Sequence, residues 1–443
     1  MTGPAGVAEQ VLALVGRQGT AEARVLVTRH ASALTRFANS FIHQNVADET
    51  TVVTVDVALD GRTAGAVTNR TDRDALAEVV ERALQAARVR PVDPKWPGLA
   101  PPQPAPVIEH FDEATAGASP DRRAAVVAAF VSAGEGLSAA GYCETSGLEA
   151  VLANSAGQHL SGRRSVAILD AIHRDGQADG IAVQASVSID GLDGAAMGAI
   201  AARKARHAKE PVELPPGRYP VVLEPRCLAD MLDGLAYYGF NARSVEEGQS
   251  FARIGEAQFD PAISLWDDAT DPRAVGLLFD HEGTPKGQVP LVSEGTVVGL
   301  AHDRRTAKAI GASSTGHAIP GGEMAGAIPT NLFIGDGASS ADELIAGVDR
   351  GLLVSDFWYT RVLDPKTLVM TGLTRNGVFL IEDGRLGRAV GNLRFTQSYV
   401  AALGPGNVVG VGSDGRLVST IDYIHHAPTL SLRSWNFTGN ARG

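Results

Sequence analysis

The feature that most constrains this chain is a run of seven prolines within sixteen residues. They stand at positions 91, 94, 97, 101, 102, 104 and 106. Because proline fixes φ and has no amide hydrogen, such a run fits neither a helix interior nor a central strand. Residues 91–106 are therefore predicted to be a stiff, extended connection with folded elements on both sides.

The elements before this connection alternate between helix and strand. A short helix is predicted at Val7–Val15 and a strand at Arg24–Thr28. From Thr51 to Leu59 apolar and polar residues alternate, which is typical of a half-buried strand. Asp60-Gly61 then favours a tight hairpin turn into another strand at Thr63–Val67.

The strongest helix signal follows this hairpin. Thr71 is predicted to cap the N-terminus of the helix. Apolar residues then recur at the spacing of one helix face, namely Leu76, Val79, Val80, Ala83, Leu84 and Ala87. That stripe is predicted to pack in the core.

The chain after the proline run continues the same pattern. A second helix is predicted to start with Ser119 as its cap and Pro120 in its first turn, and to end at Gly134. Three strands of a meander and a further helix are predicted next, at Glu149–Ala153, Ser165–Ile172, Ile181–Ile189 and Asp193–Lys209.

The best candidate for a domain boundary lies at residues 210–217, which read Glu-Pro-Val-Glu-Leu-Pro-Pro-Gly. Beyond it one helix candidate, Arg226–Tyr238, precedes short apolar segments separated by Gly, Asp and Pro. Examples are Ala274–Asp280, Val289–Leu300, Gly351–Val354, Val378–Glu382 and Asn407–Gly412. We therefore predict an α+β protein with two domains. Residues 1–210 would form an α/β domain with a mixed sheet and helices, and residues 211–443 a large, mostly antiparallel β domain.

Composition excludes several classes of protein. With 39 Lys and Arg against 50 Asp and Glu, the formal net charge is −11, which argues against nucleic acid as a partner because phosphate binding needs clustered cations. Cys143 and Cys227 are the two cysteines, and they exclude a disulfide framework and a Cys-rich metal site. No apolar run is long enough to cross a membrane and no signal peptide is recognised, so we expect a cytoplasmic protein without a membrane partner.

A series of motifs in the second half of the chain resembles the TldD/PmbA family and follows that family's order. Each motif is short, and it is their number and order over more than a hundred residues that make the resemblance specific. They are Phe279–Pro285, Leu291–Gly299, Thr306-Ala307, Ser314–Ala318, Pro329–Leu332, Gly351–Val354, Thr360–Thr367, Asn376–Gly384 and Gly391–Leu393. In the first half, Gly61–Asn69 resembles the family's Gly-Arg-x-Gly-x-Ala-x-Thr-Asn strand.

The resemblance implies a two-domain fold and a role in peptide hydrolysis. Catalytic members of the family carry His-Glu-x-x-x-His on a helix early in the C-terminal domain. The two imidazoles bind Zn²⁺ and the Glu acts as general base on the metal-bound water, while a Cys near the C-terminus supplies another ligand. Catalytic and zinc-less members pair as heterodimers that degrade unfolded peptides or trim modified peptide precursors.

This chain departs from the catalytic pattern at every element of the metal site. The helix expected to carry the motif, Arg226–Tyr238, contains neither His nor Glu, and the last cysteine of the chain is Cys227. The resemblance therefore implies a PmbA-like (TldE-like) member with no catalytic residue, metal or cofactor of its own. Zinc would belong to a TldD-like partner subunit that shares the peptide substrate, and the alternative assembly is a homodimer.

Four residues are kept as candidates for an unconventional site: Cys227, His317, His425 and His426. A cysteine without a neighbouring histidine is a weak nucleophile and more typical of a small buried hydrophobe. His317 follows Ser-Thr-Gly in a glycine-rich loop, and such loops often line sites. His425 and His426 are adjacent on a predicted strand, so their side chains should point to opposite faces.

His281-Glu282 could be mistaken for the start of a zinc motif. The motif needs His-Glu-x-x-His on a helix, and Pro285 stands where the second histidine would be. The segment is therefore predicted to be a loop or a strand end.

Three functions remain open at this stage. The first is the non-catalytic, zinc-less subunit of a heterodimeric metallopeptidase, shaping the substrate chamber and supporting its partner. The second is a stand-alone hydrolase or tailoring enzyme with a rebuilt site, for which Asp230 and Asp233 share a helix face beside Tyr237-Tyr238. The third is a non-enzymatic, homodimeric binding protein.

Overall fold

The computed structural model of the protein describes residues 3–19, 21–421 and 423–441, without the side chain of Glu323. Helices and strands combine into an α+β architecture, and the predicted class and two-domain fold are confirmed. One sheet comes from the N-terminal half and two from the C-terminal half. The boundary at residue 210 stays a prediction.

Six strands form the first sheet: β1 (Glu22–Ala38), β2 (Phe41–Leu59), β3 (Arg62–Thr68), β4 (Ser138–Asn154), β5 (His159–Asp175) and β6 (Ala178–Ser186). Their spatial order is β3-β2-β1-β4-β5-β6. Every neighbouring pair is antiparallel, so the expected mixed sheet is wrong in that detail. Four of the five pairs are joined by hairpins, which impose antiparallel pairing, and β4 returns beside β1 in the opposite direction.

The predicted turn between β2 and β3 is confirmed. Asp60 and Gly61 have φ values of 50° and 74°, the left-handed conformation that two-residue hairpin turns require. Both β1 and β2 extend well beyond the predicted segments, because residues 29–52 continue the ladder although few of them are buried.

Helices cover one face of this sheet: α1 (Pro4–Gly16), α2 (Arg73–Val89), α3 (Glu113–Ala116), α4 (Pro120–Ala133) and α5 (Gly194–His207). The predicted apolar stripe of α2 is entirely buried, and α4 starts and stops as predicted. The predicted cap of α2 is wrong by one residue. Asp72, not Thr71, accepts the amide hydrogen of Ala75, and its negative charge also favours the helix N-terminus.

The other face of the first sheet is turned toward the C-terminal half. Leu26, Leu152 and Leu160 alternate with the residues under the helices, and they pack with Phe279. The proline run contains neither helix nor strand, as predicted. The run lies against the C-terminal half of the protein, where the Arg305 side chain donates a hydrogen bond to the Asp93 carboxylate.

Thirteen strands lie in the C-terminal half: β7 (Gly217–Leu223), β8 (Leu265–Asp267), β9 (Val289–Ser293), β10 (Thr296–Val297), β11 (Leu332–Ile334), β12 (Arg350–Asp364), β13 (Val369–Glu382), β14 (Arg385–Ala389), β15 (Leu393–Ser398), β16 (Val408–Val411), β17 (Arg416–Ser419), β18 (Ile424–Ala427) and β19 (Leu430–Asn440). The second sheet has the order β10-β9-β8-β11-β18-β17, and the third has β12-β7-β19-β15-β13-β14 with β16 added to β19. Since β12 also pairs with β13, the third sheet closes on itself as a small barrel.

Pairing in this half is mostly antiparallel, as predicted. Within the described residues, parallel ladders join β11 to β18 and β12 to β7. The strand expected at Ala274–Asp280 is wrong: this segment is irregular except for one bridge between Phe279 and Pro285.

Short helices connect these strands: α6 (Pro225–Gly234), α7 (Ala242–Glu246), α8 (Arg304–Ala309), α9 (Gly322–Ala325), α10 (Ala341–Ala346) and α11 (Tyr399–Ala402). A π-helical turn, Leu235–Gly239, continues α6. No helix in the described part of the chain is both long and apolar enough to cross a bilayer.

The centre of the barrel is an aromatic cluster around Trp435. This side chain is fully buried, and its ring centroid lies 5.1 Å from that of Phe357, 5.3 Å from Phe395 and 5.9 Å from Tyr399. The cluster joins β12, β15, β19 and α11, so it holds the barrel and the helix beside it together.

We expect Trp435→Ala to destabilise the protein by about 3–5 kcal/mol, because truncating a buried tryptophan loses apolar burial and leaves a cavity. The free energy of unfolding can be measured by chemical denaturation followed by circular dichroism. Trp96→Ala is the matched control, since Trp96 is half-buried in the proline connection. Equal effects of the two substitutions would contradict the central role of the cluster.

Candidate functional site

Helix α6 forms one wall of a large cleft in the C-terminal half. It begins at Pro225, whose fixed φ and missing amide hydrogen suit a first helical turn. Leu228, Met231 and Leu232 are fully buried. Their packing turns Asp230 and Asp233 toward the cleft.

The cleft has a volume of about 680 Å³. Its other walls are the segment 356–362 of β12 and the residues Ser419, Thr420, Ile421 and Tyr423, which connect β17 to β18. The C-terminal half therefore supplies all three walls from elements that are far apart in sequence.

Asp230 is held by two hydroxyl groups at the base of the cleft. Thr360 Oγ1 donates to Asp230 Oδ1 at 2.8 Å, and the Tyr399 hydroxyl donates to Oδ2 at 2.9 Å. Burial raises the pKa of Asp230 to about 7, although both hydroxyl hydrogen bonds act in the opposite direction. The carboxyl group can therefore exchange a proton near neutral pH.

Asp233, one turn further along α6, pairs with His425. The Nε2–H of His425 donates to Asp233 Oδ1 at 2.9 Å, and its Nδ1 accepts the amide hydrogen of Leu332 at 3.3 Å. Both ring nitrogens of His425 are thus in use, which leaves no lone pair for a metal ion.

The other two candidate histidines have different partners. His426 projects from the opposite side of β18, as predicted, and stacks on Phe333 with ring centroids 5.3 Å apart. His317 Nε2 lies 2.9 Å from Asp267 Oδ1, and both side chains are completely buried. Within the described residues, no three His, Cys, Asp or Glu side chains converge as a metal site would require.

Cys227 lies on the inner side of α6, away from the cleft. Its side chain is fully buried, and its Sγ–H donates to the carbonyl of Val354 at 3.4 Å. Burial raises the pKa of this thiol well above its ordinary value, so the thiolate that a nucleophile needs is disfavoured.

Arg226 ties the cleft to the first sheet. Its Nε donates to Asp356 Oδ1 on β12 at 2.8 Å, and its Nη1 lies 3.1 Å from Asp170 Oδ2 on β5. Nη1 also donates to the carbonyl of Ser419 at 3.2 Å. Although burial alone would lower it, the two carboxylates hold the pKa of Arg226 above its ordinary value.

Exposed aromatic side chains form the rim of the cleft. Trp358 and Tyr359 are 40% and 63% exposed, far more than large apolar groups usually are. Arg375 lies over the Trp358 ring at 4.4 Å, and Arg361 over the Tyr359 ring at 4.2 Å. Tyr359 has a φ of 58° where the β12–β13 register shifts, so a bulge redirects these rings toward solvent.

A second cleft of about 620 Å³ lies between the first sheet and the second sheet. Residues from β1, β4 and β5 line one side, and residues 275–277, 279–281, 286, 317–320, 328, 330 and 331 line the other. Ser419, Thr420, Ile421 and Tyr423 border both clefts. The two spaces are therefore neighbours around a single connecting segment.

The segment His281-Glu282 lies in a turn, as predicted. Glu282 accepts the amide hydrogen of Arg304 at 2.7 Å. Burial raises the pKa of Glu282 to about 7 and lowers that of His281 to about 4. The pair is thus part of a loop that supports the start of α8.

Helix α6 and its two aspartates could be identified from the sequence, but the residues that contact them could not. Thr360, Tyr399, Asp356 and Asp170 were not singled out, because each reaches the site through strand pairing or sheet packing. The one available signal was Trp358-Tyr359, an aromatic pair followed by Arg361 inside a family motif.

The raised pKa of Asp230 predicts a specific dependence of stability on pH. The folded pKa of about 7 exceeds the unfolded value of about 3.9, so the folded state holds the proton between these values. This group therefore lowers the free energy of unfolding as pH rises through that window, by up to about 1.4 kcal/mol per pH unit.

We expect Asp230→Asn to flatten this decline, measured by urea denaturation across the same pH window. Glu78→Gln, which removes an exposed carboxylate on α2, is the matched control and should retain the wild-type slope. An unchanged slope in the Asp230→Asn variant would contradict the prediction.

Residues 216–439 match the sequence profile of the PmbA/TldA metallopeptidase C-terminal domain, and residues 23–87 match that of PmbA/TldA metallopeptidase domain 1. A protein named Metalloprotease from Methanothermobacter thermautotrophicus is 25% identical over 206 residues, 46% of this chain and 44% of that protein. The Metalloprotease TldD homolog of Haemophilus influenzae is 28% identical over 191 residues, 40% of this chain and 38% of that protein. The matched regions span less than half of either relative.

Solved structures agree along nearly the whole chain. TldE from Thermococcus kodakarensis has a TM-score of 0.87 at 20% identity, covering 98% of this chain and 100% of that one. A candidate modulator of a DNA gyrase from Thermotoga maritima has a TM-score of 0.86 at 19% identity, with the same coverage. At such identities the likeness shows the fold. Because the C-terminal profile alone spans half of the chain, the protein belongs to the PmbA/TldD metallopeptidase family, as its motifs predicted.

Proposed function

We propose that this chain is a non-catalytic, zinc-less member of its family and that it pairs with a TldD-like chain carrying His-Glu-x-x-x-His. In this proposal its cleft holds part of the peptide substrate and completes the chamber of the partner. The observation that carries the proposal is helix α6, on which the resemblance places the zinc ligands and the general base: it contains no His and no Glu, and its cleft-facing side presents Asp230 and Asp233.

The chemistry of these side chains supports the proposal. A catalytic zinc site needs three protein ligands and an open position for water, and two imidazoles supply most of the affinity in the family motif. Here Asp230 already accepts two hydroxyl hydrogen bonds, and Asp233 accepts one from His425. The residues present do not fit a catalytic zinc ion, so no step through a metal is assigned to this chain.

The shape and lining of the cleft favour a peptide as its ligand. Ligand clefts are commonly a few hundred to a thousand Å³ and combine aromatic walls with a few polar groups. This cleft has about 680 Å³, exposed aromatic rings on its rim and carboxyl groups at its base. The second cleft, which shares Ser419, Thr420, Ile421 and Tyr423 with the first, extends the available length and suits an extended chain.

The decisive experiment compares the purified chain alone, the candidate partner alone and their mixture. Zinc content would be measured by elemental analysis, and peptidase activity on unfolded peptides. We expect less than stoichiometric zinc and no cleavage by this chain alone, and full cleavage only in the mixture. A partner whose motif Glu is replaced by Gln is the control, because it keeps the assembly but removes the base.

Two results would overturn the proposal. One is stoichiometric zinc in the purified chain, and the other is peptide cleavage by this chain without a partner. A homodimer that binds peptides, with no cleavage in any mixture, would instead support a non-enzymatic binding protein.

The second candidate function is a stand-alone hydrolase with a rebuilt site. The observation that favours it is Asp230, a buried carboxyl group at a cleft with its pKa raised to about 7, which is the range of an efficient general base or acid. In that case Asp230→Asn should lower the activity of the chain alone about 100-fold or more. Under the first proposal the same substitution leaves the motif of the partner intact, so cleavage by the mixture persists.

A further inference from the structure

We propose that the second cleft binds a carboxylate group of the peptide through the guanidinium of Arg164. This inference rests on the proposed peptide-binding function and adds the chemical group that this side of the molecule recognises. The carboxylate is either the C-terminus of the peptide or an Asp or Glu side chain, two sources that respond differently to amidation of the C-terminus.

Arg164 lies on β5, on the face of the first sheet turned away from the helices. It pairs with Leu148 of β4, which pairs with His30 of β1, and this row of three lines the cleft. A guanidinium has five N–H donors. Nη1 donates to the carbonyl of Val275 at 3.4 Å, and no other acceptor in the described ranges is bonded to this side chain.

No carboxylate of the described residues pairs with Arg164. Its sequence neighbour Arg163, on the opposite face of the strand, pairs with Glu109 at 2.7 Å and Glu113 at 2.9 Å. Glu144 also lines the cleft, but it lies four residues along β4 from the partner of Arg164, which is about 13 Å at the rise of a strand. Burial lowers the pKa of Arg164, and no acidic group acts to raise it.

The opposite wall of the same cleft also presents a cation. Lys286 Nζ donates to Thr330 Oγ1 at 3.2 Å, and no described carboxylate lies within ion-pair distance of it. Asp280 faces the same cleft but is already engaged, since its oxygens accept three backbone amide hydrogens at 2.8–3.0 Å. The cleft therefore presents a cation on each of two walls without a direct ion pair among the described residues, while the charge of Lys286 also acts on the nearby Asp267 and Asp280.

A carboxylate is the ligand that this arrangement fits best. The planar fork of arginine matches the two oxygens of a carboxylate, and such bidentate bonds are among the strongest in proteins. A half-buried cation without an ion pair has lost part of its hydration, so a bound anion would stabilise the site. Because Ser419, Thr420, Ile421 and Tyr423 border both clefts, one extended peptide can reach Arg164 from the first cleft.

The test uses the full chain and one fluorescently labelled peptide in three forms: a free acid without acidic side chains, its C-terminal amide, and an amide containing one Glu. Binding would be measured by fluorescence anisotropy for the wild type, for Arg164→Gln and for the control Arg163→Gln. We expect Arg164→Gln to weaken binding of at least one carboxylate-bearing peptide by about tenfold to a hundredfold. The control should bind all three forms as the wild type does.

The results distinguish the two sources of the carboxylate, and they distinguish failure of this inference from failure of the proposed function. Selective loss for the free acid identifies the peptide C-terminus, and selective loss for the Glu-containing amide identifies a side chain. Equal binding of all forms, unaffected by Arg164→Gln, overturns this inference and leaves peptide binding in place. Failure to bind any form, alone or with the partner, overturns the proposed function itself.

Two further variants guard against a folding defect. Arg164→Lys keeps the charge and loses the fork, so it should bind carboxylate-bearing peptides with intermediate affinity. Lys286→Gln removes the cation on the opposite wall, so it should also reduce the preference for carboxylate-bearing peptides over the amide without acidic side chains. If neither variant changes the preference for carboxylate-bearing peptides, Arg164 and Lys286 do not recognise the ligand.

Discussion

The contacts of Arg226 determine how the parts of the site fit together. This side chain, in the first turn of α6, bonds to Asp356 on the barrel, to Asp170 on the first sheet and to the carbonyl of Ser419 between the two clefts. It is only 20% exposed, and breaking a buried pair of this kind typically costs about 3–5 kcal/mol. One guanidinium therefore links α6, the barrel, the first sheet and the segment shared by the two clefts.

The two clefts present different charged groups, and this difference would give the peptide that we propose as ligand a direction of binding. Carboxyl groups of α6 lie at the base of the first cleft, whereas Arg164 and Lys286 face the second without ion pairs among the described residues. A peptide held by a carboxylate at Arg164 would run past Ser419, Thr420, Ile421 and Tyr423 toward the aspartates. In a heterodimer, a fixed direction of this kind would decide which end of the substrate the partner receives first.

Local features of the fold could be predicted from sequence, and long-range ones could not. The stripe of α2 and the turn at Asp60-Gly61 depend on residues within one or two turns of each other, so periodicity and turn chemistry suffice. The pairing of β1 with β4 joins residues more than a hundred positions apart. The closure of the barrel likewise depends on the pairing of β12 with both β7 and β13. At the site, the two aspartates of α6 were visible, but the hydroxyl groups that hold Asp230 come from β12 and α11.

Ionisable groups whose burial is unfavourable lie at or beside the clefts and not at the centre of the barrel. The barrel centre around Trp435 is aromatic and apolar, whereas Asp230 and Glu282, whose pKa values burial raises to about 7, lie at the first cleft and beside the second. A buried carboxyl group contributes less to the stability of the folded protein than an apolar side chain of similar size. Packing alone therefore does not explain why Asp230 and Glu282 are carboxyl groups. Groups with perturbed pKa values collect where a protein binds or reacts. Their position at the clefts therefore supports the proposal that this chain binds peptide in a cleft without hydrolysing it.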